Sequence, residues 1–165
     1  MSASAESPIL IHPFPPFIGE NPRVLILGSF PSVKSRETGF YYGHPQNRFW
    51  RVVAAVMGEE APVTLEEKQR MLSKHGIALW DSIASCAITG SSDASIRQAA
   101  PNDVASLLEK TGVSRVFCNG KKAFELYQKY VFPSTHVPAV LLPSTSPANA
   151  SYSLERLADA WRAIC

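Results

Sequence analysis

Two stretches of the 165-residue chain gather side chains able to do chemistry. The first is Gly28-Ser-Phe-Pro-Ser32 followed, after a polar interval, by Gly39-Phe-Tyr-Tyr-Gly-His-Pro-Gln-Asn-Arg-Phe-Trp50, and the second is Leu142-Pro-Ser-Thr-Ser-Pro-Ala-Asn149. Both are rich in amides, hydroxyls and prolines, and the first adds a run of aromatics. His44 precedes a proline and has no second His, Cys or carboxylate at ligand spacing, so no metal site is expected there. Asn119-Gly-Lys-Lys tempts a phosphate-loop reading, but the loop's spacing and its Ser/Thr after lysine are missing. On residue type alone, Asn47 reads as a cap for a helix over 48–57. Lys34, Arg36, Arg48 and Arg51 outnumber Glu37 around the first stretch, an excess that attracts a polyanion but also suits an ordinary solvated face. The whole chain carries only +2, so attraction to nucleic acid must come from such clustering.

These stretches need a scaffold, and the apolar pattern supplies one. Arg23-Val-Leu-Ile-Leu-Gly28 reads as a strand buried on both faces. Ile77-Ala-Leu-Trp80, Val113 to Cys118 and Pro138 to Leu142 read as three more. Helices are expected over 46–57, after the Thr64/Glu67 capping box, after Asn102 or Asp103 through Lys110, over 120–130 and over 152–164. The alternation predicts a three-layer α/β/α sandwich with a mainly parallel central sheet of about four strands. Ligands of such sheets sit beyond the carboxyl ends of the strands, which singles out the segments after Leu27, Trp80, Cys118 and Leu142.

Residues 1–8 read as a flexible tail, Ile9 to Phe17 as an extended apron held out of helix by its prolines, and residues 9–165 as one domain. Cys86, Cys118 and Cys165 are odd in number and form no CxxC pair, which argues against a disulfide framework or a cluster site. No signal peptide or membrane-length apolar run is visible, so an intracellular protein is expected.

The two stretches resemble the motifs of the uracil-DNA glycosylase superfamily. Gly28-Ser-Phe-Pro-Ser and His44-Pro-Gln-Asn-Arg-Phe-Trp are similar to motif 1 of the mismatch-specific uracil/thymine-DNA glycosylases, and Pro143-Ser-Thr-Ser-Pro-Ala-Asn stands at the place of motif 2. Leu79-Trp80-Asp81, the Ser91 to Asp93 element and Phe117-Cys-Asn-Gly-Lys-Lys122 resemble the hypoxanthine-DNA glycosylase (DNA-deoxyinosine glycosylase) branch. The likeness runs from about Arg23 to the C-terminus. One departure stands out: the mismatch-specific enzymes carry a catalytic asparagine where this chain has Phe30.

The resemblance implies a glycosylase without a cofactor, acting as a monomer on DNA that contains deaminated bases. The catalytic duty moves to Asn47, whose carbonyl is expected to hold the water that attacks C1′ of an oxocarbenium-like sugar. Tyr42 takes the place of the stacking aromatic, with Phe30 as pocket floor and Ser29 and Asn119 beside the base; a turn role suits Asn119 equally. Asp81 is placed to accept the N1–H of hypoxanthine, where adenine has a bare acceptor; a helix cap or an ion pair with an arginine fits it as well. Ser32, His44, Arg48, Ser144, Ser146 and Pro147 are expected on the DNA side, although Ser-Pro turn chemistry also explains the last three. Uracil presents the same edge as hypoxanthine and is the expected second substrate. Phe30 keeps a second function in view, a lesion binder without catalysis. The architecture keeps a third, an enzyme of free nucleosides or phosphates.

Overall fold

The computed structural model describes residues 8–165. Of the tail expected at 1–8, all but Pro8 lies outside the described residues. Strands β1 (Ile9–Ile11) and β2 (Val24–Gly28) are followed by helices α1 (Val33–Thr38), α2 (Phe49–Met57) and α3 (Leu65–His75). After them come β3 (Ile77–Asp81), β4 (Ile83–Ala87), β5 (Arg97–Pro101), α4 (Val104–Thr111), β6 (Arg115–Asn119), α5 (Lys121–Leu126), α6 (Phe132–Thr135), β7 (Ala139–Leu142) and α7 (Leu154–Trp161).

Four strands form a parallel sheet in the order β3-β2-β6-β7. The central strand β2 is buried at every residue. Its side chains alternate between faces, as the pleat requires. Val24 and Ile26 enter a core with α2, α3 and α7, whereas Leu25 and Leu27 enter one with α4 and α5. The expected three layers therefore have two separate cores. Register fixes the working end: Gly28 lies opposite Asp81 and Leu142 opposite Asn119, so the segments after these strands open on one rim.

Local chemistry sets the helix ends. Thr64 and Glu67 form both halves of the capping box of α3, and the Asp103 side chain caps α4. Helix α2 begins at Phe49 rather than 46, because residues 44–48 are held in a loop by the bond from Asn47 N–H to the His44 carbonyl. The helix expected over 120–130 runs further. A π-helical turn at Tyr127–Val131 continues it, and α6 follows with Pro133 in its first turn, where the missing N–H is tolerated.

A second sheet goes beyond what the pattern predicts. Strands β1, β4 and β5 pair antiparallel in the order β1-β4-β5. The extended apron is thus partly a strand, and Phe17 adds a single bridge to Leu79 at the edge of the parallel sheet. Among the described residues no helix is long and apolar enough to cross a membrane.

Candidate active site

A cavity of about 370 Å³ opens at the carboxyl ends of the parallel strands. Its wall takes Gly28 to Ser32 from the end of β2, Tyr41, Tyr42, His44 and Asn47 from the loop before α2, and Asp81 from the end of β3. Asn119 from β6, Ser144 to Ala148 after β7, Ser35 of α1, and Ser91 and Asp93 from the segment between β4 and β5 complete it. Asn47 and Ser144, far apart in sequence, line the same space.

Thr145 joins the two loops. Its side chain is fully buried; Oγ1 donates to Asn47 Oδ1 at 2.8 Å and accepts from Asn119 Nδ2 at 3.0 Å. Its backbone N–H donates to Asn119 Oδ1 at 3.0 Å, and its carbonyl accepts from Arg48 N–H at 3.0 Å. Asn47 Oδ1 also accepts from Phe49 N–H, the first of α2, at 2.9 Å; the N-cap itself is Arg48, one residue later than expected, so Asn47 both holds the helix start and lines the cavity. One consequence differs from expectation. Two donors already occupy the carbonyl expected to hold the attacking water, and the free end of Asn47 is its Nδ2 amide.

Tyr42 adopts a left-handed backbone (φ 53°), uncommon for a bulky residue. Two contacts hold it there: its carbonyl accepts from Trp50 Nε1 at 3.1 Å, and its ring stacks on Phe49 with centroids 4.1 Å apart. The phenol is thus a rigid, backed plate in the cavity wall. Burial, with Asp81 nearby, pushes its hydroxyl far above the ordinary phenol range, so it stays an O–H; Asn119 opposes this only in part. Tyr41 is buried beneath and donates to the Pro15 carbonyl. Phe30 is buried against Ile83, Cys86 and Leu126 and presents to the cavity as an apolar floor.

Comparison with known proteins places this geometry. The Uracil DNA glycosylase superfamily profile matches residues 15–165. The chain belongs to the uracil DNA glycosylase superfamily. A protein named hypoxanthine DNA glycosylase from Methanosarcina acetivorans is 37% identical over 153 residues, 92% of this chain and 95% of that one. Its namesake from Methanosarcina barkeri is 33% identical, covering 90% and 93%. A G/U mismatch-specific uracil DNA glycosylase from Schizosaccharomyces pombe is 32% identical over 72% of this chain but only 37% of its own. A Methanosarcina acetivorans chain solved by solution NMR superimposes with a TM-score of 0.77 at 33% identity, covering 94% of this chain and 99% of that one.

Within this superfamily fold Asp81 is 3% exposed, and its side-chain partner is His12, whose Nε2 lies 2.7 Å from Oδ2, in place of the arginine of the alternative reading. Gly28 permits the approach, since a Cβ there would stand 2.5 Å from Asp81 Oδ1. The Ser29 hydroxyl is committed elsewhere, donating to Asp93 Oδ1 at 2.6 Å. Asp93 is exposed as a residue, but its carboxyl turns toward the cavity wall. Burial of that group raises its pKa, and the Ser29 bond and Lys122 oppose the shift.

The expected DNA-side residues divide. Ser32, His44, Ser144, Ser146 and Pro147 line the cavity. Four of these side chains already work locally: Ser32 caps α1, Ser144 accepts from Ser146 N–H, Ser146 accepts from Ala148 N–H, and His44 Nδ1 accepts from Gln46 N–H. Arg48 differs from expectation. It is not among the residues lining the cavity, and its guanidinium ties the carbonyls of Asn149 and Tyr152. Lys121 and Lys122 line an adjoining depression that shares Ser144 and Ser146 with the cavity.

Sequence reasoning missed three site residues. Thr145 stands inside the second motif, between the two serines that draw attention for their hydroxyls. Asp93 closes the Ser-x-Asp element, which on its own suggests no role. His12 carries no signal in any motif.

Proposed function

We propose that this superfamily member is a monofunctional DNA glycosylase that extrudes a deaminated base and hydrolyses its N-glycosidic bond, with deoxyinosine as main substrate and deoxyuridine as second. The supporting observation is convergence. The Asn47 amide and the backed Tyr42 ring, both from the loop before α2, and an Asp81 oxygen from the end of β3 face one cavity, within the roughly 300–1,000 Å³ usual for ligand sites.

In this reading the base slides onto Tyr42, where stacking contributes about 1–3 kcal/mol, with Phe30 below. Hypoxanthine N1–H and uracil N3–H each donate to Asp81. Adenine offers a bare N1 there and leaves Asp81 Oδ1 without a donor, which discriminates strongly. Asn47 Nδ2 donates to a lone pair of a water, whose other lone pair bonds to C1′ as the bond to the base breaks, and the proton the water sheds ends on the departing base anion through solvent, leaving an abasic sugar and the neutral base. Positioning and electrostatics carry the reaction, since the departing base takes the bonding electrons and little base strength is needed. Ser32, His44, Ser144, Ser146 and Pro147 hold the backbone around the gap, with Lys121 and Lys122 beside the flanking phosphates. All these groups come from one chain, so a monomer suffices.

Phe30 in the usual catalytic slot favours a second reading, lesion binding without cleavage. A labelled duplex containing one inosine separates the two: base release leaves an abasic site that heat and alkali convert to a strand break. Breaks only after alkali support the monofunctional glycosylase. Binding without breaks selects the lesion binder, and release from free deoxyinosine but not from duplex refutes both.

A further inference from the structure

The carboxylate assigned to the base edge is held in an unusual way. The Asp81 backbone is fastened by Asn102 Nδ2, which donates to its carbonyl at 2.8 Å. Its side chain is fastened by a single described residue, His12, and both side chains are about 5% exposed. No described residue donates to Oδ1, the oxygen over Gly28.

His12 is costly for the fold. Phe14, Phe30 and Tyr41 surround its ring, at centroid distances of 4.8, 5.9 and 6.0 Å. Its Nδ1 is buried without a hydrogen-bond partner among the described residues. An unpaired buried polar atom destabilises, and an aromatic box would accept an apolar side chain without that penalty. What the imidazole provides in return is the bond from Nε2 to Asp81 Oδ2. The backbone is placed for it: His12 N–H donates to the Ala84 carbonyl at 2.7 Å, extending the pairing of β1 with β4.

We propose that His12, which lies outside the stretch matched by the superfamily profile, is a positioning and specificity-determining residue. It occupies Oδ2 and thereby points Oδ1 into the cavity as a fixed acceptor for the lactam N–H of the extruded base. The inference rests on the base-reading role of Asp81 proposed above. It also gives the second sheet a purpose, since the imidazole sits on the residue directly after β1 and β4 fixes its height through the Ala84 carbonyl.

The test uses the full chain with enzyme in excess over an inosine duplex, so that one turnover is timed. Binding to a duplex with a stable abasic-site analogue is measured beside it, because that ligand has no base to read. A glutamine at position 12 places an amide N–H near the position of Nε2, whereas a shorter asparagine does not. His12→Gln should release hypoxanthine within about threefold of wild type, while His12→Asn and His12→Ala fall about tenfold or more, the scale of one lost positioned hydrogen bond. All three should bind the abasic duplex like wild type. The Gln-to-Asn ratio decides even where the alanine variant does not fold. Equal rates in Gln and Asn, a wild-type rate in Ala, or a loss of abasic binding matching the loss of rate would each overturn the proposal. A wild-type enzyme that releases no hypoxanthine would overturn the Asp81 reading along with it, whereas an active wild type with indifferent His12 variants overturns this inference alone.

Discussion

The two sheets of the molecule are built on opposite plans. In the parallel sheet the central strand β2 is buried at all five positions and divides its side chains between two cores. In the antiparallel sheet β5 has four of its five residues exposed, and β4 shifts register twice against it. Their contributions to the cavity differ accordingly. The parallel sheet supplies the rim, from which the loops carrying Asn47 and Thr145 rise. The antiparallel sheet supplies no residue of those loops, but it brings His12 against Asp81 and carries Asp93 in the turn between β4 and β5. A deep sheet sets where the reaction happens, and a shallow one trims how the pocket wall is held.

The largest effect expected from this division falls on the rim. Asn47→Ala should lower single-turnover base release by about a hundredfold or more, a scale typical of lost transition-state contacts, with duplex binding largely kept. Asn47→Asp sharpens the test. It preserves an oxygen for Phe49 N–H and Thr145 Oγ1 but removes the Nδ2 donor, so release should fall at least about tenfold. A fully active Asp variant would return the role to the carbonyl oxygen and refute the amide assignment.

The same contrast explains what is legible in the sequence. Parallel strands buried on both faces are written as continuous apolar runs, so Val24 to Gly28, Ile77 to Trp80 and the shorter Val116 to Cys118 are readable, and the carboxyl-end rule leads to the right loops. Ile83-Ala-Ser-Cys-Ala87 and Arg97-Gln-Ala-Ala-Pro101 show neither a long apolar run nor clean alternation. Their strand character comes from pairing, and pairing across distant segments leaves no local pattern. The apron prolines hide β1 in the same way, and with it His12. Within the site, residue types announce Asn47, Tyr42 and Asp81, but not which atoms are already engaged. Arg48 has the chemistry of a phosphate ligand, yet two carbonyls from residues 149–152 occupy its guanidinium. Thr145 is invisible as a hub because its partners lie 26 and 98 positions away.

Thr145→Val comes next in size. Valine keeps the shape but removes the hydroxyl, leaving Asn47 Oδ1 and Asn119 Nδ2 each short of a partner inside the rim. Unpaired buried groups cost about 1–3 kcal/mol, so the melting temperature should drop by several degrees and base release by about tenfold. Thr145→Ser, which restores the hydroxyl, should recover most of the rate. Recovery of stability without recovery of rate would show that the hub braces the loops but does not aim Asn47.

The smallest effect belongs to the shallow side. Asp93 sits where burial raises its pKa above the ordinary carboxylate value, against the Ser29 hydrogen bond and Lys122. The sign follows from proton binding. A carboxyl that holds its proton more tightly in the folded state binds more protons there than in the unfolded chain, so stability falls as pH rises through the two pKa values and the penalty is complete above the folded one. An asparagine at position 93 carries no such penalty, and its carbonyl can still accept from the Ser29 hydroxyl. Solvent around this exposed residue screens the effect and keeps it small. Asp93→Asn should therefore melt about one or two degrees higher at about pH 7.5, a fraction of a kcal/mol for a chain of this size, with the gap closing as pH drops toward the ordinary carboxylate range. Thermal melts of both proteins across that range read the effect directly. A variant that melts lower near neutral pH would mean that the Ser29 bond and Lys122 outweigh the burial, making the turn between β4 and β5 a stabilising element of the pocket wall.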